Sequence, residues 1–355
     1  MDAELAQRKH AESKHRIALV IRPDSGYKVR MYSQVNMRLI GTLLVTASLC
    51  LNALRGEEDP FVKINPPALT GSWDCTVQDG DLTYPSWFHV ELSGYRTLVG
   101  SYVGQFGSAR PISNVNFNAE TGGFRFELPP QWEKRTKNVV VEGTLKEGSI
   151  KGVTFNDEGK LISFEANRAP SLERKGKTKW GKKIEIFNGK NIKGWVPRHA
   201  DIPNGWVVKD GLLINETPGN DIMTKKKFTD FKLKAEFRYP EGSNSGIYLR
   251  GRHEVQIEDN YGMEINSHRI GGVYGFLTPY VNAAKKPGKW QRLEITLIGR
   301  LVTIELNGKK IIERQNIPGI TGGALDSDEG APGPILVQGD HGPVEFRKLE
   351  LTPVK

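Results

Sequence analysis

Short runs in which apolar and polar residues alternate recur from about Leu69 to the end of the chain. In the first half they are Trp87-Phe88-His89-Val90-Glu91-Leu92, residues 98–105, Phe124-Arg125-Phe126-Glu127-Leu128, residues 139–145 and Leu161-Ile162-Ser163-Phe164-Glu165. Alternation sends successive side chains to opposite faces of a strand, and the turn signals Asp79-Gly80, Gly122-Gly123, Glu147-Gly148 and Glu158-Gly159 separate the runs. The pattern predicts an antiparallel meander over 60–168, a small barrel or sandwich. Gly71-Ser72-Trp73 at its entry resembles the opening of lipocalin-like barrels.

Residues 169–183 change character, with Lys175, Lys177, Lys179, Lys182 and Lys183 among small and polar residues, and read as a basic, solvated linker. Alternation resumes over 184–355, in residues 231–239, 246–250, 254–258, 293–298, 302–306, 335–338 and 344–351. Asn307-Gly308 is a hairpin turn of the kind that needs positive φ at both positions. The whole is an all-β chain in which the second region suits a two-sheet sandwich with one core.

Near the N-terminus the pattern differs. Met37-Arg38 precedes a charge-free stretch from Leu39 to Leu54, followed by Arg55-Gly56 and the acidic Glu57-Glu58-Asp59. A basic start, a short apolar core and a small residue before a polar segment make a secretory signal over 37–56, so the protein is expected to be exported to the periplasm, cell surface or exterior, with no stable membrane span after cleavage. Residues 1–36 are then an over-extended start or a disordered lead. This alters the charge argument. The formal net charge is +9, but residues 1–56 hold nine Lys+Arg and four Asp+Glu, leaving 41 basic against 37 acidic residues. About +4 remains, and no nucleic-acid surface is called for. Cys75 is then the single cysteine, expected as a small core residue.

Periodicity also assigns faces. It leaves Glu236 and Arg238 on one face of their strand, Tyr248 and Arg250 on one face of the next, and Glu254, Gln256 and Glu258 on one face of a third. If the three strands are neighbours, one sheet face carries carboxylates, guanidinium groups, an amide and a phenol, a surface suited to sugar hydroxyls. The same groups could equally form a wet face whose charges pair across strands. Asn244-Ser245-Gly246 adds short polar groups beside it, and Trp290, Tyr274 and Trp195 are candidate stacking planes for a pyranose. Asp326-Ser327-Asp328-Glu329-Gly330 has the oxygen density of a calcium loop without its spacing. His341, in a loop, is a candidate ligand or acid.

Several motifs occur in a fixed order: residues 186–195 (Ile186-Phe187-Asn188-Gly189 through Gly194-Trp195), 206–213, Asn244 to Arg250, Glu254 to Asp259, Gly272-Val273-Tyr274, Leu306-Asn307-Gly308 and Gln338-Gly339-Asp340-His341-Gly342. Together they resemble the 3-keto-disaccharide hydrolase domain, also described as 3-keto-glucoside 1,2-lyase/3-keto-2-hydroxy-glucal hydratase, over residues 184–353. The resemblance implies a concanavalin-like jelly roll acting on an oxidised, 3-keto oligosaccharide or glycoside. It implies Glu254 as base or metal-binding carboxylate, Arg238 and Arg250 as clamps on the enolate or hydroxyls, His341 as acid or ligand, and Asn244, Gln256 and Gln338 as hydroxyl-orienting groups. Tyr248, Tyr274, Trp290 and Glu236 complete the expected substrate surface. The resemblance fixes no cofactor, and a divalent metal on Glu254, Asp259 or His341 is compatible with these residues.

Four positions depart from the family pattern: His253 for Tyr, Glu258 for an apolar residue, Gln291 for Asn and Lys348 for Asn. The first two adjoin the expected site and bear on substrate choice. A non-catalytic carbohydrate-binding module and a cell-surface adhesion module are the alternatives to an enzyme. A carboxylate facing an arginine across a sugar-sized gap favours the enzyme, and a shallow aromatic platform favours a module.

Overall fold

The computed structural model describes residues 67–131 and 135–355, and the regular elements there are strands, with no α-helix among the described residues. The expected lead 1–36 and signal segment 37–56 lie outside the described residues. No helix among the described residues is long and apolar enough to cross a membrane.

Residues 71–168 form nine strands: β1 (Gly71–Asp79), β2 (Leu82–Ser93), β3 (Thr97–Val103), β4 (Arg110–Ile112), β5 (Val115–Phe117), β6 (Gly123–Leu128), β7 (Val139–Lys146), β8 (Ser149–Phe155) and β9 (Leu161–Arg168). They make one antiparallel sheet in the order β4-β3-β2-β1-β9-β8-β7-β6-β5. Each strand hydrogen-bonds a sequence neighbour except for the seam between β1 and β9, where Trp73 lies opposite Arg168. The sheet curls so that β3 nears β5 and β4 nears β6. The inward residues predicted by alternation, among them Trp73, Val77, Phe88, Phe124, Phe126, Val141 and Phe164, fill its interior. Cys75 is buried with them, where loss of solvation pushes its thiol pKa well up. The entry tryptophan is fixed from both sides, since Trp73 Nε1 donates to the Leu69 carbonyl at 2.9 Å and the Arg168 guanidinium lies 4.0 Å from its ring centre.

The remaining strands are β10 (Ile184–Phe187), β11 (Trp195–Pro197), β12 (Trp206–Lys209), β13 (Leu212–Asn215), β14 (Ile222–Thr224), β15 (Phe231–Arg238), β16 (Asn244–Leu249), β17 (His253–Glu258), β18 (Gln291–Ile298), β19 (Leu301–Leu306), β20 (Lys309–Asn316), β21 (Leu336–Val337) and β22 (Val344–Pro353). Two sheets result. One runs β12-β13-β22-β15-β18-β19-β20, with β10 also on β22, and the other runs β11-β14-β21-β16-β17. Their facing apolar residues, including Phe231, Leu233, Phe237, Ile247, Val255, Ile257, Ile295, Ile304 and Phe346, form one core. The fold is therefore an all-β sandwich of jelly-roll type, following a barrel-like antiparallel sheet. Asn307 and Gly308 join β19 to β20 with φ of 53° and 82°, the paired positive values that a two-residue hairpin turn requires.

The described residues all fall in one compact unit. The basic stretch 169–183 is anchored along the sandwich: Leu172 is buried, Pro170 accepts from Arg300, and Arg174 donates to Asp230 at 2.8 Å. A second set of contacts joins the barrel to the sandwich. Trp87 and Val103 from the barrel pack with Ile320 and Ala324, and the Trp87 and Phe276 rings meet edge to face at 5.5 Å.

Candidate active site

β16 and β17 pair so that Tyr248 lies opposite Glu254 and Gly246 opposite Gln256. Val255 and Ile257 go inward to the core, which leaves Tyr248, Glu254 and Gln256 on the outer face of the smaller sheet. That face does not open to bulk solvent. Loops on both sides raise walls around it, and a pocket results, lined by Arg198, Asp221, Asn244, Tyr248, Glu254 and Gln256 and completed by Tyr274, Gly322, Gly323, Gln338, Asp340 and His341. Phe106 and Gly107 of the barrel also reach it.

Glu254 is buried. Tyr248 Oη lies 3.0 Å from Glu254 Oε2 and 3.0 Å from the Gly322 carbonyl, two acceptors for one hydroxyl proton. Gln256, with its amide nitrogen toward Glu254 Oε1 at 3.1 Å, donates to the other carboxylate oxygen. Loss of solvation pushes the Glu254 carboxyl up to about 8; the Tyr248 hydrogen bond and the charge of His341 pull the other way, and Asp221 and Asp340 add to the rise. Burial likewise raises Asp221, which accepts from Gly339 N–H at 2.9 Å and from Arg198 Nη1 at 3.1 Å. His341 Nδ1 sits 2.5 Å from Asp340 Oδ1. This hydrogen bond raises the imidazole pKa above its ordinary value although partial burial opposes it. Gln338 Oε1 is buried without a hydrogen-bond partner among the described residues, an acceptor free for a hydroxyl. The pocket thus combines a carboxyl pushed up to about 8, an imidazole hydrogen-bonded to a carboxylate, a guanidinium and three amides.

Seven of the residues predicted for the site meet here: Asn244, Tyr248, Glu254, Gln256, Tyr274, Gln338 and His341. Four others do not. Glu236 and Arg238 lie on β15, which pairs with β18 and β22 in the other sheet, so the expected neighbourhood of three strands is wrong for this one. There Glu236 pairs with Arg347 at 2.7 Å and Arg238 with Glu345 at 2.5 Å. Trp290 lies between the same two arginines, 4.9 Å from Arg238 and 4.5 Å from Arg347, and offers no platform at the pocket. Arg250 fails for a different reason. β16 ends at Leu249, and Arg250 takes φ of 55°, which breaks the alternation and turns its side chain inward to donate to the Gly299 carbonyl at 2.6 Å.

The metal candidates are also dispersed. Glu254 and His341 share the pocket, but Asp259 accepts from Gly242 N–H at 3.0 Å and does not line it. Among the described residues no group of three or more His, Cys, Asp or Glu is placed to hold a metal ion. In the acidic loop 326–330, Asp326 is engaged by Arg252 and Glu329 by Arg300. Trp195 is a core residue donating to the Ile186 carbonyl at 2.6 Å.

The four departures from the family pattern are accommodated locally. His253 is fully buried with Nδ1 3.0 Å from the Gly319 carbonyl, and Glu258 pairs with Arg269 at 2.9 Å. Gln291 donates to the Lys285 carbonyl at 2.8 Å and Lys348 reaches Glu350 at 3.3 Å. None of the four lines the pocket. Arg198 and Asp221, which do, were missed from sequence because they sit in loops beside β11 and β14, where no alternation marks them. Asp340 was inside a quoted motif, and its position next to His341 was the available signal.

Fold and pocket together define a β-sandwich protein with a polar, small-molecule-sized site on one sheet. Residues 182–352 match the model of the 3-keto-alpha-glucoside-1,2-lyase-like domain. A 3-keto-disaccharide hydrolase of Bacteroides thetaiotaomicron is 23% identical over a match covering 37% of this chain and 57% of that protein, so the chain spans little more than half the length of this curated relative. Among solved structures, a provisionally assigned glycosyl hydrolase of Parabacteroides distasonis is 28% identical with a TM-score of 0.43, covering 48% of this chain and 82% of its own. The carbohydrate-binding module CBM66 of Bacillus subtilis is 14% identical with a TM-score of 0.31, covering 44% of this chain and 94% of its own.

Proposed function

We propose that the protein is an exported enzyme that cleaves 3-keto-glycosides by removing the C2 proton, expelling the C1 substituent and hydrating the product. A ketone at C3 acidifies the C2 proton. Glu254 in its ionised form takes that proton, and the electrons pass into the C3 carbonyl as an enolate, to which the Arg198 guanidinium is the cationic partner. The enolate re-forms the ketone as the C1–O bond breaks, and imidazolium His341 gives its proton to the departing oxygen. Water then adds across C1=C2, its oxygen to C1 and one of its protons to His341, while the Glu254 carboxyl, its proton exchanged with solvent, returns one to C2. The net reaction is hydrolysis. Asn244, Gln256 and Gln338 orient ring hydroxyls, and the unpartnered Gln338 Oε1 accepts from one of them.

The observation that carries this reading is the buried Glu254 carboxyl, bonded by Tyr248 and set in the same pocket as His341 and Arg198. A base whose pKa lies near the working pH combines a usable ionised fraction with strong proton affinity. The arrangement favours an enzyme over a binding module, because Trp290 is withdrawn from the pocket and a carboxyl and a guanidinium occupy it. Incubation with a 3-keto-disaccharide, with and without a divalent metal, should release both sugars and, in deuterium oxide, place deuterium at C2. Release without exchange at C2 would refute the elimination route, and no release under either condition would refute the activity.

A further inference from the structure

The pocket is not built by the family-matched segment alone, because Phe106 and Gly107, in the turn between β3 and β4 of the barrel, form part of its wall. This turn is docked against the sandwich backbone to backbone. Gly323 N–H donates to the Gln105 carbonyl at 2.8 Å. A Cβ on Gly322 would lie 2.3 Å from the Gly107 oxygen and 2.8 Å from its nitrogen, so the approach depends on glycine there. Behind it, Trp87 and Val103 are buried against Ile320 and Ala324. The position of this turn relative to Glu254 is therefore set by a close-packed joint.

Phe106 stands at the tip of the turn and is 53% exposed. It borders two cavities at once: the Glu254 pocket, and a polar cavity in the barrel mouth lined by Asp79, Tyr84, Arg135, Asn156 and Asp157. A large aromatic ring left in water, rigidly mounted between two polar recesses, matches the face of a pyranose, whose C–H surface is apolar and whose hydroxyls project sideways. We propose that Phe106 is the platform for the second sugar of the substrate, the ring joined to the 3-keto sugar through the bond that breaks. The 3-keto ring enters beside Glu254, the leaving ring lies on Phe106, and its outward hydroxyls face the barrel cavity. The barrel is thereby a specificity element of the active site.

This inference rests on the proposed 3-keto-glycoside cleavage. The test compares kcat/KM of the full chain and of Phe106→Ala on a 3-keto-disaccharide and on a methyl 3-keto-glucoside. The disaccharide value should fall by roughly tenfold, the upper range for one aromatic contact, with the methyl glycoside changed by less than about twofold. Phe106→Trp should restore the disaccharide value, which separates loss of the ring from any disturbance of the turn. Equal losses on both substrates, or an unchanged disaccharide value, overturn the platform and leave the reaction standing. A wild-type protein that cleaves neither substrate overturns the proposed reaction and this inference with it.

Discussion

Asp74 of β1 and Glu329 of the sandwich bring two carboxyls together where the barrel meets the sandwich, and they divide one charge between them. Glu329 is buried and takes both amino groups of Arg300, at 2.5 and 2.9 Å. Asp74 is left to hold a proton: loss of solvation, then the Glu329 charge, push it to about 9. A carboxyl whose pKa is higher folded than unfolded binds extra protons in the native state, so its contribution is complete below about 4 and is lost as pH rises toward 9. Thermal melting should therefore decline across that window. Asp74→Asn, neutral at every pH, should melt a few degrees above wild type at pH 8.5 and lose the advantage at pH 4. Parallel melting curves for the two proteins would show that Asp74 is ionised in the fold.

Glu254→Gln keeps the side-chain volume and removes the proton acceptor. Turnover on a 3-keto-glycoside should drop by roughly 10² to 10⁴. At pH 8.5 the variant should be at least as stable as wild type, because ionising a buried carboxyl works against the fold as pH rises toward about 8. A rate within a few-fold of wild type would remove Glu254 from the proton transfer.

The pH profile reports the same group. As a base Glu254 must be ionised, so kcat/KM should climb with pH until about 8. A profile flat from pH 5 to 8 would point to a different base.

In the proposed mechanism the alkaline side reports His341, whose protonated form is favoured by its hydrogen bond to Asp340. Asp340→Asn should move the descending limb toward lower pH while leaving the ascending limb near its place. An unmoved descending limb would mean that His341 is not the acid.

The displaced arginines supply a contrast. Arg238→Ala breaks a partly exposed pair on the far sheet and should change activity less than twofold and stability by about 1 kcal/mol or less. Arg250→Ala empties a fully buried site and strands the Gly299 carbonyl, at a cost of about 3 kcal/mol or more, read as a lower denaturation midpoint. Reversed effects would restore Arg238 to the site.

These contrasts show where sequence reasoning runs out. Alternation correctly turned Glu254 and Gln256 away from Val255 and Ile257, because side-chain direction in a strand is a local property. It could not say which strands are neighbours, so Glu236 and Arg238 were grouped with residues of another sheet; pairing is non-local and leaves no mark in a single strand. Arg250 was lost to one residue of positive φ at a strand end. Arg198, Asp221 and Phe106 reach the pocket from loops, whose course is set by packing against distant residues rather than by any period.

The place of β22 governs how the chain can come to be folded. It is synthesised after every other described strand, yet it lies between β13 and β15 and also receives β10. The strand pairing of the barrel is complete at β9, so its sheet can close while the rest is still being made. The sandwich cannot, since its larger sheet stays split until Val344–Pro353 arrives. A nascent chain thus carries a fully paired barrel sheet ahead of an open sheet with exposed apolar edges, the condition in which aggregation competes with folding. Translation stopped just short of Val344 would forfeit the whole sandwich, and with it the alignment of Glu254 and His341, rather than merely fray one end.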